Sequence, residues 1–238
     1  MENPKPFERL SVFSFWPYVM VQFAVVLGVQ AGTLPARDEW RFALPIFWPF
    51  FDWTVTWFLG WKSQSKTRAG LIATVLAVTA LAEFLGTNYG LYGAHYHYID
   101  TAWDPLLKSW RPLAVPLLWL AGAYPLTLSA GAWTPGESRI QRTKRTITVA
   151  TGMLLWDLLL DPLSVREGKW AWTSGHPIFQ GTLAGVPIEN FLAWWTGVVI
   201  LHQTYEFLRR KRGWRLPSNL SAIWIYLLLI AATAAGRH

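Results

Sequence analysis

Residues 70–90 read GLIATVLAVTALAEFLGTNYG, an unbroken apolar run whose one acidic or basic side chain is Glu83. At ~1.5 Å per residue a helix of this length crosses a hydrocarbon core of ~30 Å. Working outward, the same reading recurs at roughly 11–29, 42–61, 112–130, 146–163, 187–208 and 218–235. The expectation is an all-α integral membrane protein, a bundle of about seven transmembrane helices forming one domain over residues 1–238. Composition agrees: of 238 residues, 53% are hydrophobic and only 15% charged. A soluble domain carries about 25% charged residues, so an ordinary water-soluble globule is excluded. The first run is too long for the core of a signal peptide, and the segment before it balances two acids with two bases. It reads as a span.

Lys and Arg are about twice as frequent in the N-terminal segment and the loops following the second, fourth and sixth spans as in the remaining loops and C-terminus. That bias places the N-terminus in the cytoplasm and the C-terminus outside. The run RRKRGWR at 209–215 is the strongest cytoplasmic anchor, with some contact to anionic lipid. The net charge of +7 therefore reads as topology, with the bilayer as partner and no nucleic acid. The absence of cysteine removes disulfides, cysteine-ligated metal centres and thiol nucleophiles together.

Acidic residues inside spans are expensive and mark function by default. Asp52, Glu83, Asp157, Asp161 and Glu189 are the acids in question. In the seven-span topology Glu83, Asp157, Asp161 and Glu189 fall in the outer half of the membrane, while Asp52 lies near mid-depth. No Lys or Arg is expected beside them inside a span. Carboxyls without a cation in a low dielectric favour the neutral, protonated form, and a neutral acid is the proton donor that acid chemistry on an alkene requires. The competing structural reading is that individual acids cap helices or bond to backbone and indole N–H groups.

Asp157 and Asp161 are four apart and share a helix face. Paired aspartates also hold magnesium diphosphate in prenyltransferases, but that site needs carboxylates from a second segment and cations for the phosphates, and neither is evident. In Tyr89-Gly-Leu-Tyr-Gly-Ala-His-Tyr-His-Tyr98, His95 and His97 lack an obvious third ligand, so the stretch reads as an aromatic and polar cluster at the interface rather than a metal site. The 17 tryptophans exceed what two interfacial belts need. Most pack or face lipid, and some are available to line a site for a long apolar ligand or a cation.

Several of these segments together resemble the membrane carotenoid hydratases, which include the bacterial carotenoid 1,2-hydratases and the archaeal bisanhydrobacterioruberin hydratases. The first is Glu83-x-x-Gly86 with Gly90, Gly93, Tyr96 and Tyr98, and the second is Arg111-Pro-Leu-Ala-Val-Pro-Leu-Leu-Trp119. Then come Trp156-Asp-Leu-Leu-Leu-Asp-Pro162, Trp170-Ala-Trp172, and Gly185-Val-Pro-Ile-Glu-Asn190 with Trp194. The resemblance runs from Glu83 to Trp195, about half the chain, and departs in the Gly/Tyr spacing after Glu83 and in a longer segment before Gly185. It implies addition of water to the terminal 1,2 double bond of an acyclic carotenoid ψ-end, with no cofactor. A prokaryotic cell membrane and other enzymes of the pathway as partners go with it.

On that expectation Asp157 or Asp161 donates the proton and Glu83 orients water and accepts its proton; the reverse assignment fits equally well. Asn88, Tyr89, Tyr92 and Asn190 are candidates to hold substrate or water. Trp156, Trp170, Trp172 and Trp194 are candidates to face the cation or line the polyene. A carotenoid cyclase, a non-catalytic carotenoid- or lipid-binding protein and, last, a prenyltransferase are the competing readings.

Overall fold

A computed structural model describes residues 40–90, 95–99, 111–173 and 181–235, with the single positions 20 and 31. Its helices are α1 (Trp40–Phe58), α2 (Lys62–Tyr89), α3 (Arg111–Trp133), α4 (Arg139–Arg166), α5 (Ile188–Lys211) and α6 (Ala222–Ala235). Each overlaps one expected span. The expected first span, 11–29, lies outside the described residues apart from position 20. Among the described residues, three helices are long and apolar enough to cross a membrane: α2, α4 and the Leu113–Trp133 part of α3. These mark a membrane protein.

Helix α3 packs against α1, α2, α4 and α6 and forms the centre of the bundle. Its residues Leu120 to Ala130 include Tyr124, Leu126 and Leu128, all nearly inaccessible. Small residues let the neighbours close on it. A Cβ on Gly122 would come within 2.7 Å of the Met153 sulfur on α4, and one on Gly152 of α4 within 2.8 Å of Leu126. At the end of α3 a Cβ on Gly131 would stand 2.0 Å from the Pro217 carbonyl oxygen. The Asn219 N–H, donating to the Leu128 carbonyl at 3.0 Å, ties the same connecting segment to α3. Backbone cannot swing aside as a side-chain tip can, so Gly131→Ala is expected to cost about 1–3 kcal/mol, read as a lower unfolding midpoint in detergent.

Two helices start well before their apolar runs. α2 begins at Lys62 rather than 70, and α4 at Arg139 rather than 146. α4 is opened by a capping box: the Ser138 hydroxyl accepts from the Gln141 N–H, and the Gln141 side chain accepts from the Ser138 N–H. These added turns carry Arg68 and Arg145 into the bundle, each 1% exposed. The expectation that the intramembrane acids lack cations is thereby corrected for Asp52. It accepts from Arg68 Nε at 2.7 Å and from the Tyr124 hydroxyl at 2.7 Å. A second buried network, absent from the sequence reading, centres on Glu206 of α5. Its carboxylate accepts from Arg145 Nε at 2.9 Å and from Arg209 Nη2 at 2.8 Å, and Arg209 Nη2 also reaches Glu137 at 2.6 Å. Arg209, the first residue of the basic run, is thus a buried partner of the core.

The strict all-α expectation also needs amendment. Two connecting segments pair as antiparallel strands, β1 (His95–Tyr98) with β2 (Trp170–Thr173), and a short hairpin joins β3 (Thr182–Leu183) to β4 (Val186–Pro187). The bundle therefore has an ionic end, at the starts of α2 and α4 and the end of α5, and an opposite end that the β1–β2 pair overlies.

Candidate active site

At that opposite end lies a cavity of ≈ 510 Å³, walled by α2, α3, α4 and α5 and by the two strands. Glu83 projects into it from α2. The helix stops six residues later, where Gly90 (φ 72°) turns the chain, its N–H donating to the Gly86 carbonyl at 3.1 Å. The His95 ring occupies the place a Cβ on Gly90 would take, 2.7 Å away, so only glycine allows β1 to fold back so closely over the helix end.

Alternation along β1 and β2 decides what faces inward. Tyr96 sits opposite Trp172 and Tyr98 opposite Trp170. Their rings meet at 5.1 Å and 6.4 Å between centroids. The Tyr96 hydroxyl donates to Glu83 Oε2 at 2.5 Å, and the Tyr98 hydroxyl donates to Glu83 Oε1. Both carboxyl oxygens therefore serve as acceptors. The Tyr96 hydroxyl is pushed far above the ordinary tyrosine range, first by burial and then by the neighbouring Glu83 charge, so it remains a donor.

A second wall is built from α4 and α5. Asp157 and Asp161 lie one turn apart, 0% and 3% exposed. The Asn190 amide donates to Asp161 Oδ2 and, at 3.3 Å, to Asp157 Oδ2. Asn190 is held there by the β3–β4 hairpin. Its two central residues, Ala184 and Gly185, both take positive φ (49° and 86°), the geometry of a tight hairpin turn, and Pro187 caps α5 two residues on. Asp161 lines the cavity, whereas Asp157 lies behind it with Oδ1 unpartnered. Neither aspartate meets a cation among the described residues.

Indoles close the remainder. Trp119 and Trp194 stack at 4.2 Å with an interplanar angle of 26°, and Trp156 stands edge-on to Trp194 at 6.4 Å. Trp119, Trp170, Trp172 and Trp194 line the cavity. Trp156 lies behind, its indole N–H donating to Thr233 of α6 at 2.9 Å.

Of the residues singled out in the sequence, the cavity gathers Glu83, Asp161, Asn190, Trp170, Trp172 and Trp194, with Asp157 and Trp156 immediately behind. Asn88 and Tyr89 are not brought in: Tyr89 is 68% exposed, and the exposed Asn88 amide bonds back to the Phe84 carbonyl. Tyr92 lies outside the described residues. Glu189 is buried at the start of α5 but does not line the cavity. Tyr96, Tyr98 and Trp119 were not among the candidates, although the alternation in His-Tyr-His-Tyr and Trp-Ala-Trp-Thr is a strand signal. No group of three or more His, Asp or Glu placed to hold a metal ion occurs among the described residues.

The helical membrane bundle thus encloses an indole-lined cavity with carboxyls contributed by two of its helices. A family model described as carotenoid biosynthesis protein matches residues 46–236, and the chain belongs to that family. Membership points to a role in carotenoid biosynthesis with a carotenoid as substrate, and the matched range contains every residue of the cavity. No curated protein and no solved structure matches the chain.

Proposed function

We propose that the chain is a hydratase that adds water across the terminal 1,2 double bond of an acyclic carotenoid ψ-end, giving a tertiary alcohol. The observation that carries this reading is the division of acid groups between two walls of one cavity. Asp161, with Asp157 behind it and no cation near it among the described residues, is the proton donor; Glu83, accepting from two phenols, is the base. The Asp161 carboxyl gives its proton to C2 of the alkene, which places a tertiary cation at C1. The faces of Trp119, Trp172 and Trp194 stabilise that charge by roughly 0.5–2 kcal/mol each. Water held near Glu83 and Asn190 bonds to C1 and loses a proton to the Glu83 carboxylate. The proton then returns from Glu83 to Asp161, and the enzyme is reset without a redox change.

In this reading the whole chain is one transmembrane domain of a prokaryotic cell membrane. It spans the bilayer seven times with the N-terminus in the cytoplasm, the ionic end on the cytoplasmic side and the cavity in the outer half. Expression in a lycopene-accumulating cell, with mass spectrometry of the extracted pigment, tests the chemistry. A product heavier by one water, with its oxygen taken from labelled water, is expected. A product of unchanged mass with a new ring would replace hydration by cyclisation. The double variant Tyr96→Phe/Tyr98→Phe keeps the rings but frees Glu83 from its two donors. A loss of about 10²-fold in product formation is expected in the same assay, the scale of effect for a misplaced reacting group.

A further inference from the structure

The cavity is smaller than the molecule it is proposed to act on. A round space of ≈ 510 Å³ is about 10 Å across, a pocket for a drug-sized group. A carotenoid polyene is comparable in length with the ~30 Å hydrocarbon core itself. Three side chains that line the cavity are at the same time open to the outside: Leu81 (58% exposed) and Leu85 (38%) on α2, and Ile200 (61%) on α5. Just inside this rim Ala193 and Gly197 line the wall, and Gly197 brings the α5 backbone against the Trp119 ring, where a Cβ would lie 3.2 Å away. The cavity thus continues outward between α2 and α5, past aliphatic side chains, with no charged side chain on the rim among the described residues. A water-facing mouth has no reason to be lined this way; a lipid-facing one does.

We infer that this gap is a lateral mouth through which the carotenoid is drawn, end first, directly from the bilayer. Only the reacting end is enclosed, and the rest of the polyene stays in the hydrocarbon beside Leu81 and Ile200. The substrate class that follows is any carotenoid with one acyclic ψ-end, whatever its far end carries. The statement about substrates rests on the hydratase reading; the statement about the mouth does not.

Two measurements on the full chain in phosphatidylcholine vesicles separate these. In the first, Leu81 or Ile200 is replaced by p-benzoylphenylalanine, lycopene is supplied in the membrane, and the adduct formed on illumination is quantified by mass. The lipid-exposed Trp224 of α6, 57% exposed, serves as the comparison position. About tenfold more lycopene adduct at positions 81 and 200 than at 224 is expected, and equal labelling at all three would overturn the mouth. In the second, the unmodified chain receives carotenoids that share a ψ-end but differ at the other: acyclic, monocyclic, or shortened beyond the enclosed length. Values of kcat/KM within about threefold of each other are expected, because groups that never enter a pocket cannot be read by it. Discrimination of about tenfold or more would mean that the far end is enclosed, and would overturn the substrate class. Failure to hydrate any of them would remove the hydratase reading and the substrate class with it, while the labelling pattern would still decide the mouth.

Discussion

Asp161→Asn is expected to reduce product formation by about 10²–10⁴-fold, the range for removal of a positioned general acid. The replacement keeps the shape of the side chain, and its amide oxygen can still accept from Asn190, so the protein is expected to stay folded. On the proposed mechanism, what it loses is the proton that C2 receives. Asp157→Asn provides the internal comparison. Asp157 does not line the cavity and reaches it through Asn190 and through its neighbour Asp161, one turn along the same helix. Its neutral variant is expected to lose about tenfold or less, an effect on the placement of its neighbour. Full activity in both variants would remove the donor assignment from this wall. Equal, large losses in both would show that the pair acts as one unit, as groups sharing a proton do. Product should be measured by extraction from membranes normalised to folded protein, so that a change in yield is not read as a change in rate.

Glu206→Leu is expected to have the largest effect on stability. Its carboxylate bridges Arg145 and Arg209, which are 1% and 2% exposed. Arg145 is further fixed by donating from Nη1 to the Thr134 and Gly136 carbonyls, both at 2.8 Å, so it cannot move out toward water when its partner goes. Removing one member of a buried ion pair leaves an uncompensated charge and typically costs about 3–5 kcal/mol. The measurement is thermal or denaturant unfolding in detergent, together with the yield of monodisperse protein. Glu137→Gln removes the charge of the other acidic partner of Arg209, but the Glu137 side chain is half in solvent (53%), so a much smaller shift is expected. A Glu206→Leu variant as stable as the parent would show that the network contributes no net stability, as some buried ion pairs do.

The helical bundle was legible because apolar length is local information. The run from 112 to 130 is α3 within a few residues at either end. The acid wall was legible for a similar reason: Asp157 and Asp161 are one turn apart, and Asn190 opens the helix that runs back beside them. What was not legible depends on pairings distant in the chain. Arg68 and Arg145 lie just outside the apolar runs, so composition assigns them to loops. Only the helix extensions, one of them fixed by the Ser138 capping box, carry them inside. Tyr96 and Tyr98 appear in the sequence as part of an aromatic cluster. Their position over Glu83 follows from the register of β1 with β2, which sets His95 against a residue 78 positions away. Trp119 was seen as part of an apolar span, and its stack with Trp194 depends on where α3 and α5 sit.

The two four-residue strands over the cavity have a further consequence. They belong to connecting segments, while the acid wall and the hydrophobic core belong to helices, so the roof and the frame are encoded separately. Inward and outward positions alternate along each strand, which leaves Trp170 and Trp172 lining the cavity and Ala171 and Thr173 outside it. A combinatorial library confined to these strands would therefore resculpt the chamber in which, on the proposed mechanism, the cation is quenched, without repacking the bundle. Descendants of one scaffold can part company in product there, trading captured water for an internal ring closure, through a handful of codons.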